Sequence, residues 1–190
     1  MDIPSFEGFE RDLQAAGEGK EGLVIDVRSN GGGWTTDYLL ATLMVQRHAF
    51  TAPRDDTSGI KAYPQSRLPL AAWTRPAVTI CNEDSYSNAE IFSHAFKTLK
   101  RGPLVGQTTF GAVISTGAHA LPGGGYVRIP LRGWYVAGSD MKMENNGAVP
   151  DVIVAQLPTE DIDATEDTQL RTAVETLLSQ LASDPRNGAW

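Results

Sequence analysis

The chain has 190 residues, with hydrophobic residues at 41% and charged residues at 21%. That is ordinary for one soluble domain with a sizeable core, and it excludes a disordered chain, a collagen and a coiled coil. The net charge of −7 sits mostly in the tail, where residues 151–190 hold 8 acids and 2 bases against 15 acids and 14 bases in residues 1–150. An acidic chain without a basic stripe argues against nucleic-acid binding. No apolar stretch approaches the roughly 20 residues that span a bilayer. The single cysteine, Cys81, excludes an internal disulfide or a cysteine-based zinc site.

In chain order, Asp2-Ile3-Pro4-Ser5-Phe6 reads as the end of a strand. A natural domain rarely opens there, so the chain is expected to be a piece of a longer protein with Met1 added. No charged segment followed by an apolar one marks a signal peptide. Residues 9–16 read as a short amphipathic helix. Leu23-Val24-Ile25-Asp26-Val27 is a β-branched apolar run, the mark of a buried parallel strand. It leads into Asn30-Gly31-Gly32-Gly33, and a helical pattern follows over 36–46. Residues 50–75, with Pro53, Pro64 and Pro69, read as an irregular excursion. Ala77–Cys81 is a second buried strand, Ser87–Lys100 a helix and Leu104–Gly106 a third strand. Residues 113–137 read as a β-hairpin turning at Pro122-Gly123-Gly124-Gly125. Residues 160–167 read as a solvated acidic linker. The last helix places Leu170, Val174, Leu177, Leu178 and Leu181 on one face. The expected units are a core over 1–156, and a linker with a helix packing on that core over 157–190.

Strand, glycine turn, helix, strand, turn, helix, strand is the grammar of an α/β fold with a parallel sheet. In such sheets a site lies at the carboxyl ends of the strands. Here that edge carries the glycine loop 30–33 and the loop 82–87. The three glycines permit a sharp turn and offer bare N–H groups to a ligand; they also suit a tight turn with no further role. Ser87-Asn88-Ala89-Glu90 fits a capping box. The same geometry places a hydroxyl beside free N–H donors and the positive end of a helix dipole. A serine nucleophile needs a base. His94 lies too far down the same helix, His48 ends the previous helix, and His119 belongs to the hairpin. Glu144, taken locally, is an exposed turn acid.

Four segments, in this order and spacing, resemble the tail-specific or C-terminal-processing serine peptidases of family S41, and within them the tricorn protease branch. They are Gly22–Gly33, Asn82–Phe92, Gly106–Ala112 and Glu144–Asp151. The resemblance implies the crotonase-like α/β fold shared with the caseinolytic peptidases. It implies Ser87 as nucleophile, with the backbone N–H of Asn88 and of Gly33, or Gly32 in its place, as the oxyanion hole. Ala112 stands where the processing peptidases carry a lysine base. Tricorn-type relatives also lack that lysine and use a histidine from an N-terminal subdomain, oriented by a serine that a glutamate supports; Glu144 matches the glutamate. The resemblance thus implies a peptide or protein substrate, and a missing N-terminal part with a PDZ domain and a Ser-His pair. It implies no cofactor and no metal, and it leans to a cytoplasmic homo-oligomer. Thr51 stands near the place of the acid that selects basic side chains, with Asp55 and Asp56 nearby. The competing expectation is a non-catalytic module of the same fold that binds a peptide or an apolar ligand, with Ser87 as a mere cap. A crotonase-type acyl-CoA enzyme is a third.

Overall fold

The computed structural model describes residues 1–45, 54, 72–156 and 166–183. Most of the expected excursion, with His48, Thr51, Asp55 and Asp56, lies outside the described residues, as do residues 157–165 of the expected linker.

The chain opens on helix α1, Ile3–Gly17, where the sequence suggested a strand end. Asp2 is the reason: its side chain accepts the Ser5 N–H at 3.0 Å, an N-cap. Pro4 falls in the first turn, where its missing N–H costs nothing. Strand β1, Leu23–Asp26, follows, then α2, Thr36–Leu43, shorter than the pattern suggested. Strand β2, Ala77–Cys81, helix α3, Asn88–Thr98, and strand β3, Leu104–Gly106, match the reading closely. Strands β4, Ser115–Ala120, and β5, Tyr126–Arg132, form the antiparallel hairpin. A two-residue strand β6, Val152–Ile153, had no counterpart in the reading. It is too short for a period of two to register. Helix α4, Thr168–Ser183, ends the described chain.

The main sheet is wholly parallel, in the order β1-β2-β3-β6. Strand β2 is buried at every position, so its side chains alternate between two apolar layers. Val78 and Ile80, with Val105, pack on Ala173 and Leu177 of α4. Ala77 and Cys81, with Leu104, pack on Phe92 and Phe96 of α3 and Leu13 of α1. The architecture is therefore a parallel sheet between helical layers with a β-hairpin attached. Burial pushes the Cys81 thiol up to about 12.

Helix α4 sits differently from its apolar pattern. Ala173 and Leu177 are buried and Leu181 packs beside them, while Leu170, Val174 and Leu178 face outward. A polar clasp sets this rotation. Arg28 Nη1 reaches Asp167 at 2.9 Å and Gln169 Oε1 at 3.2 Å, and the buried Gln169 amide donates to Val154 O at 2.8 Å. Asp167 is accordingly an ion-pair partner of Arg28 rather than part of a solvated linker.

Candidate active site

The two loops at the carboxyl edge of the sheet are joined by several hydrogen bonds. Tyr86 N donates to Asn30 O at 3.0 Å. Ser29 N donates to Asn82 Oδ1 at 2.9 Å, and Ser85 Oγ to Val27 O at 2.8 Å. These bonds bring the glycine loop against the residue that starts α3. A Cβ on Gly32 would lie 2.7 Å from Ser87 Cβ and 2.8 Å from Asn88 N. With φ at +87° as well, the position accepts only glycine.

Ser87 has φ +58° and ψ −117°, a conformation that a non-glycine residue holds only when its surroundings enforce it. Glu90 supplies much of that enforcement. Its Oε1 accepts the Ser87 N–H at 3.0 Å, the returning half of the expected capping box. The Glu90 N–H itself goes to the Ser87 carbonyl at 3.0 Å.

Among the described residues no acceptor takes the N–H of Asn88 or of Gly33. The Gly32 N–H, the alternative expected donor, is already committed to Asn30 Oδ1 at 2.9 Å. Of the two glycines only Gly33 has an N–H without an acceptor among the described residues. Gly33 is tied down from the outside. Trp34 N donates to Met1 O at 3.0 Å, and the Met1 ammonium donates to Gly32 O at 2.7 Å. A Cβ on Gly33 would fall 1.8 Å from that Met1 oxygen.

The Asn88 side chain has a job that the sequence reading missed. Its Oδ1 accepts the Thr36 N–H at 3.0 Å, so a residue 52 positions away caps helix α2 and anchors the glycine loop to the Ser87 turn. No local pattern signals such a cap.

Glu90 was read only as a capping partner. It is fully buried, and besides Ser87 N it accepts Ala112 N at 2.9 Å, Thr109 Oγ1 at 2.7 Å and Gly111 N. Glu144 continues the same pattern. Its Oε2 accepts Val113 N at 2.8 Å and Ile114 N at 3.0 Å, so it is not a solvated turn acid. Four successive N–H groups, from Gly111 to Ile114, are thus shared between two carboxylates. Glu90 links this stretch to Ser87, and Glu144 faces its far half. The turn that carries Ala112 is held from both sides.

No histidine or lysine among the described residues hydrogen-bonds Ser87. His94 points its Nε2 at Asn146 O, 3.2 Å away, and burial lowers its pKa below the usual imidazole range. His119 lies exposed on β4. Around the loops, Trp34 and Phe110 are exposed aromatics, each meeting one neighbour edge-to-face: Trp34 with Tyr38 at 6.0 Å and Phe110 with Tyr86 at 5.2 Å.

Residues 2–154 match the model of the family described as Peptidase family S41. The chain is 33% identical over 163 residues to a tricorn protease of Thermoplasma volcanium, covering 85% of this chain and 15% of that protein. It is 34% identical over 188 residues to tricorn protease homolog 1 of Streptomyces coelicolor, covering 97% of this chain and 17% of that protein. A crystal structure of the tricorn protease superposes with a TM-score of 0.72 at 29% identity, over 85% of this chain and 15% of that one. The chain thus spans about one sixth of the length of these relatives, and within that span the match takes in both loops of the site. The chain belongs to peptidase family S41.

Proposed function

We propose that this chain is the catalytic core of a serine peptidase, with Ser87 as nucleophile and its base supplied from outside these residues. Family membership supports a protease. The observation that carries the finer reading is the pairing of an enforced, positive-φ Ser87 with N–H donors on Asn88 and Gly33 that find no acceptor among the described residues. Ser87 Oγ attacks the carbonyl carbon of a peptide bond. The carbonyl π electrons move to oxygen, and the two N–H groups stabilise the oxyanion. The base takes the Ser87 proton and returns it to the departing amine. Water then hydrolyses the acyl-serine ester by the same route in reverse order. No step calls for a metal or cofactor.

The base in this reading is a histidine from a part of a longer parent, N-terminal to residue 1. A serine there orients it, and Glu144 supports that serine. A carboxylate fixed by Val113 and Ile114 N–H can hold one orientation for a partner that arrives from elsewhere. The upstream part would also carry the PDZ domain, and the assembly would be a homo-oligomer acting on peptides or proteins. The second reading, a binding module, is favoured by one fact only: no base bonds to Ser87 among the described residues.

A fluorophosphonate probe separates the two. The 190-residue chain should label slowly, because an unassisted serine hydroxyl is a weak nucleophile. The full-length parent should label fast at Ser87, and Ser87→Ala should abolish that signal. In the parent, Glu144→Gln should lower peptide turnover by about tenfold or more with the fold intact. A parent that never labels would favour the binding module, and fast labelling of the short chain would place a base inside it.

A further inference from the structure

The β4–β5 ribbon contains no buried residue. A two-stranded ribbon is marginal in water unless something covers it. Alternation sorts its side chains onto two faces. Val127, Ile129 and Leu131 share one face, opposite His119 and Gly117, and are 44%, 43% and 67% exposed. Arg128 and Pro130 lie on the other face, where Arg128 Nε bonds Thr116 Oγ1 at 3.0 Å. Leu121, Trp134 and Tyr135 extend the exposed apolar surface at the ribbon's ends. Such a contiguous patch marks an interaction site rather than a scattering of surface residues.

Two positions say what covers it. Strand β4 begins directly after Ile114, whose N–H holds Glu144 together with that of Val113. Residue 1 lies against the glycine loop, bonded to Gly32 O and Trp34 N, so a segment upstream of it would leave from that loop. Relatives place more than four fifths of their length outside the stretch that this chain covers. Resting on the reading that the base comes from upstream, we propose that the Val127–Ile129–Leu131 face is the seat of the upstream element that carries the serine–histidine pair. An element that presents a histidine to Ser87 and its orienting serine to Glu144 passes over the 111–114 turn, and the ribbon is the continuation of that turn. The stretch 113–137 has no acid and two arginines, Arg128 and Arg132. The docking element therefore offers an apolar stripe with acids at its rim.

Hydroxyl-radical footprinting of the full-length parent against the 190-residue chain tests the seat, with Ser87 labelling read on the same samples. Oxidation of the 126–132 peptide should fall at least fivefold in the parent, independent of protein concentration. Ile129→Glu in the parent should slow Ser87 labelling at least tenfold. Ala118→Glu, on the opposite face, should leave the rate unchanged. Both variants made in the 190-residue chain should melt as the unsubstituted chain does, which separates a lost seat from a lost fold. If Ser87 labels fast while the ribbon is equally oxidised in both proteins, or while Ile129→Glu has no effect, the seat is wrong and the peptidase reading stands. If the ribbon is protected but Ser87 never labels, the occupant does not bring a base, and the peptidase reading falls with the proposal. Protection that grows with concentration would make a second copy the occupant and overturn the proposal.

Discussion

The turn at Ser87 and the ribbon at β4–β5 meet the same junction at 111–114, the first through Glu90 and the second as its direct continuation, yet they are built on opposite terms. Around Ser87 the buried Glu90 gathers four donors from this chain, and the N–H groups of Asn88 and Gly33 are left without an acceptor among the described residues. Along the ribbon the backbone pairs, but the side chains stay exposed. The first region is held in place by its own residues. The second is an exposed apolar surface. Stability and catalysis should therefore separate: the core near Ser87 governs whether the 190-residue chain folds, and the ribbon governs what the folded chain can join.

Three measurements on the 190-residue chain would break or sharpen that contrast. The largest effect belongs to the apolar layer under α3. Phe92 is fully buried, so Phe92→Ala should cost about 3–5 kcal/mol in urea unfolding, while Ile129→Ala on the ribbon should stay within about 0.5 kcal/mol. Equal costs would mean that the ribbon packs on this chain after all.

Glu90→Gln comes next. An amide keeps one acceptor and turns an NH₂ group toward neighbours that are all donors, so unfolding free energy should drop by about 3 kcal/mol. A drop under about 1 kcal/mol would show that the buried clasp at Ser87 is loose.

The smallest effect concerns the tail. Hydrogen bonding from Arg28 holds Asp167 below the ordinary aspartate value of 3.8. A depressed folded pKa contributes stability that is whole above the unfolded value and fades as pH falls through the folded one. The pair is partly exposed, so Asp167→Asn should cost under about 1 kcal/mol at pH 7. The difference from the unsubstituted chain should close as the pH drops below about 3.8. A gap that persists at lower pH would assign the effect to packing of α4 rather than to charge.

The two central strands were legible because they are buried on both sides. Ala77–Cys81 and Leu104–Gly106 are short apolar runs bounded by turn residues, and no other element fits them. Ser87 was legible as a helix start because capping uses residues three apart. Asp2 was read as the tail of a strand because its capping bond to Ser5 competes with a β-branched neighbour that local pattern weighs more heavily. Asp167 was read as solvated because its partner, Arg28, is 139 positions away. The outward Leu170, Val174 and Leu178 belong to a stripe whose rotation the Gln169 clasp decides, and periodicity alone carries no rotation.

Composition, period and turn residues determined the parallel α/β layering, the glycine turn and the position of Ser87, because each depends on interactions within a few residues or on burial as such. Only the tertiary structure decided how those parts meet. It turned Asn88 into the cap of α2, and it divided the N–H groups of 111–114 between Glu90 and Glu144. Each of these depends on which carboxylate or amide arrives from a distant segment. A hydrogen bond formed across tens of residues leaves no periodic trace in the chain that makes it.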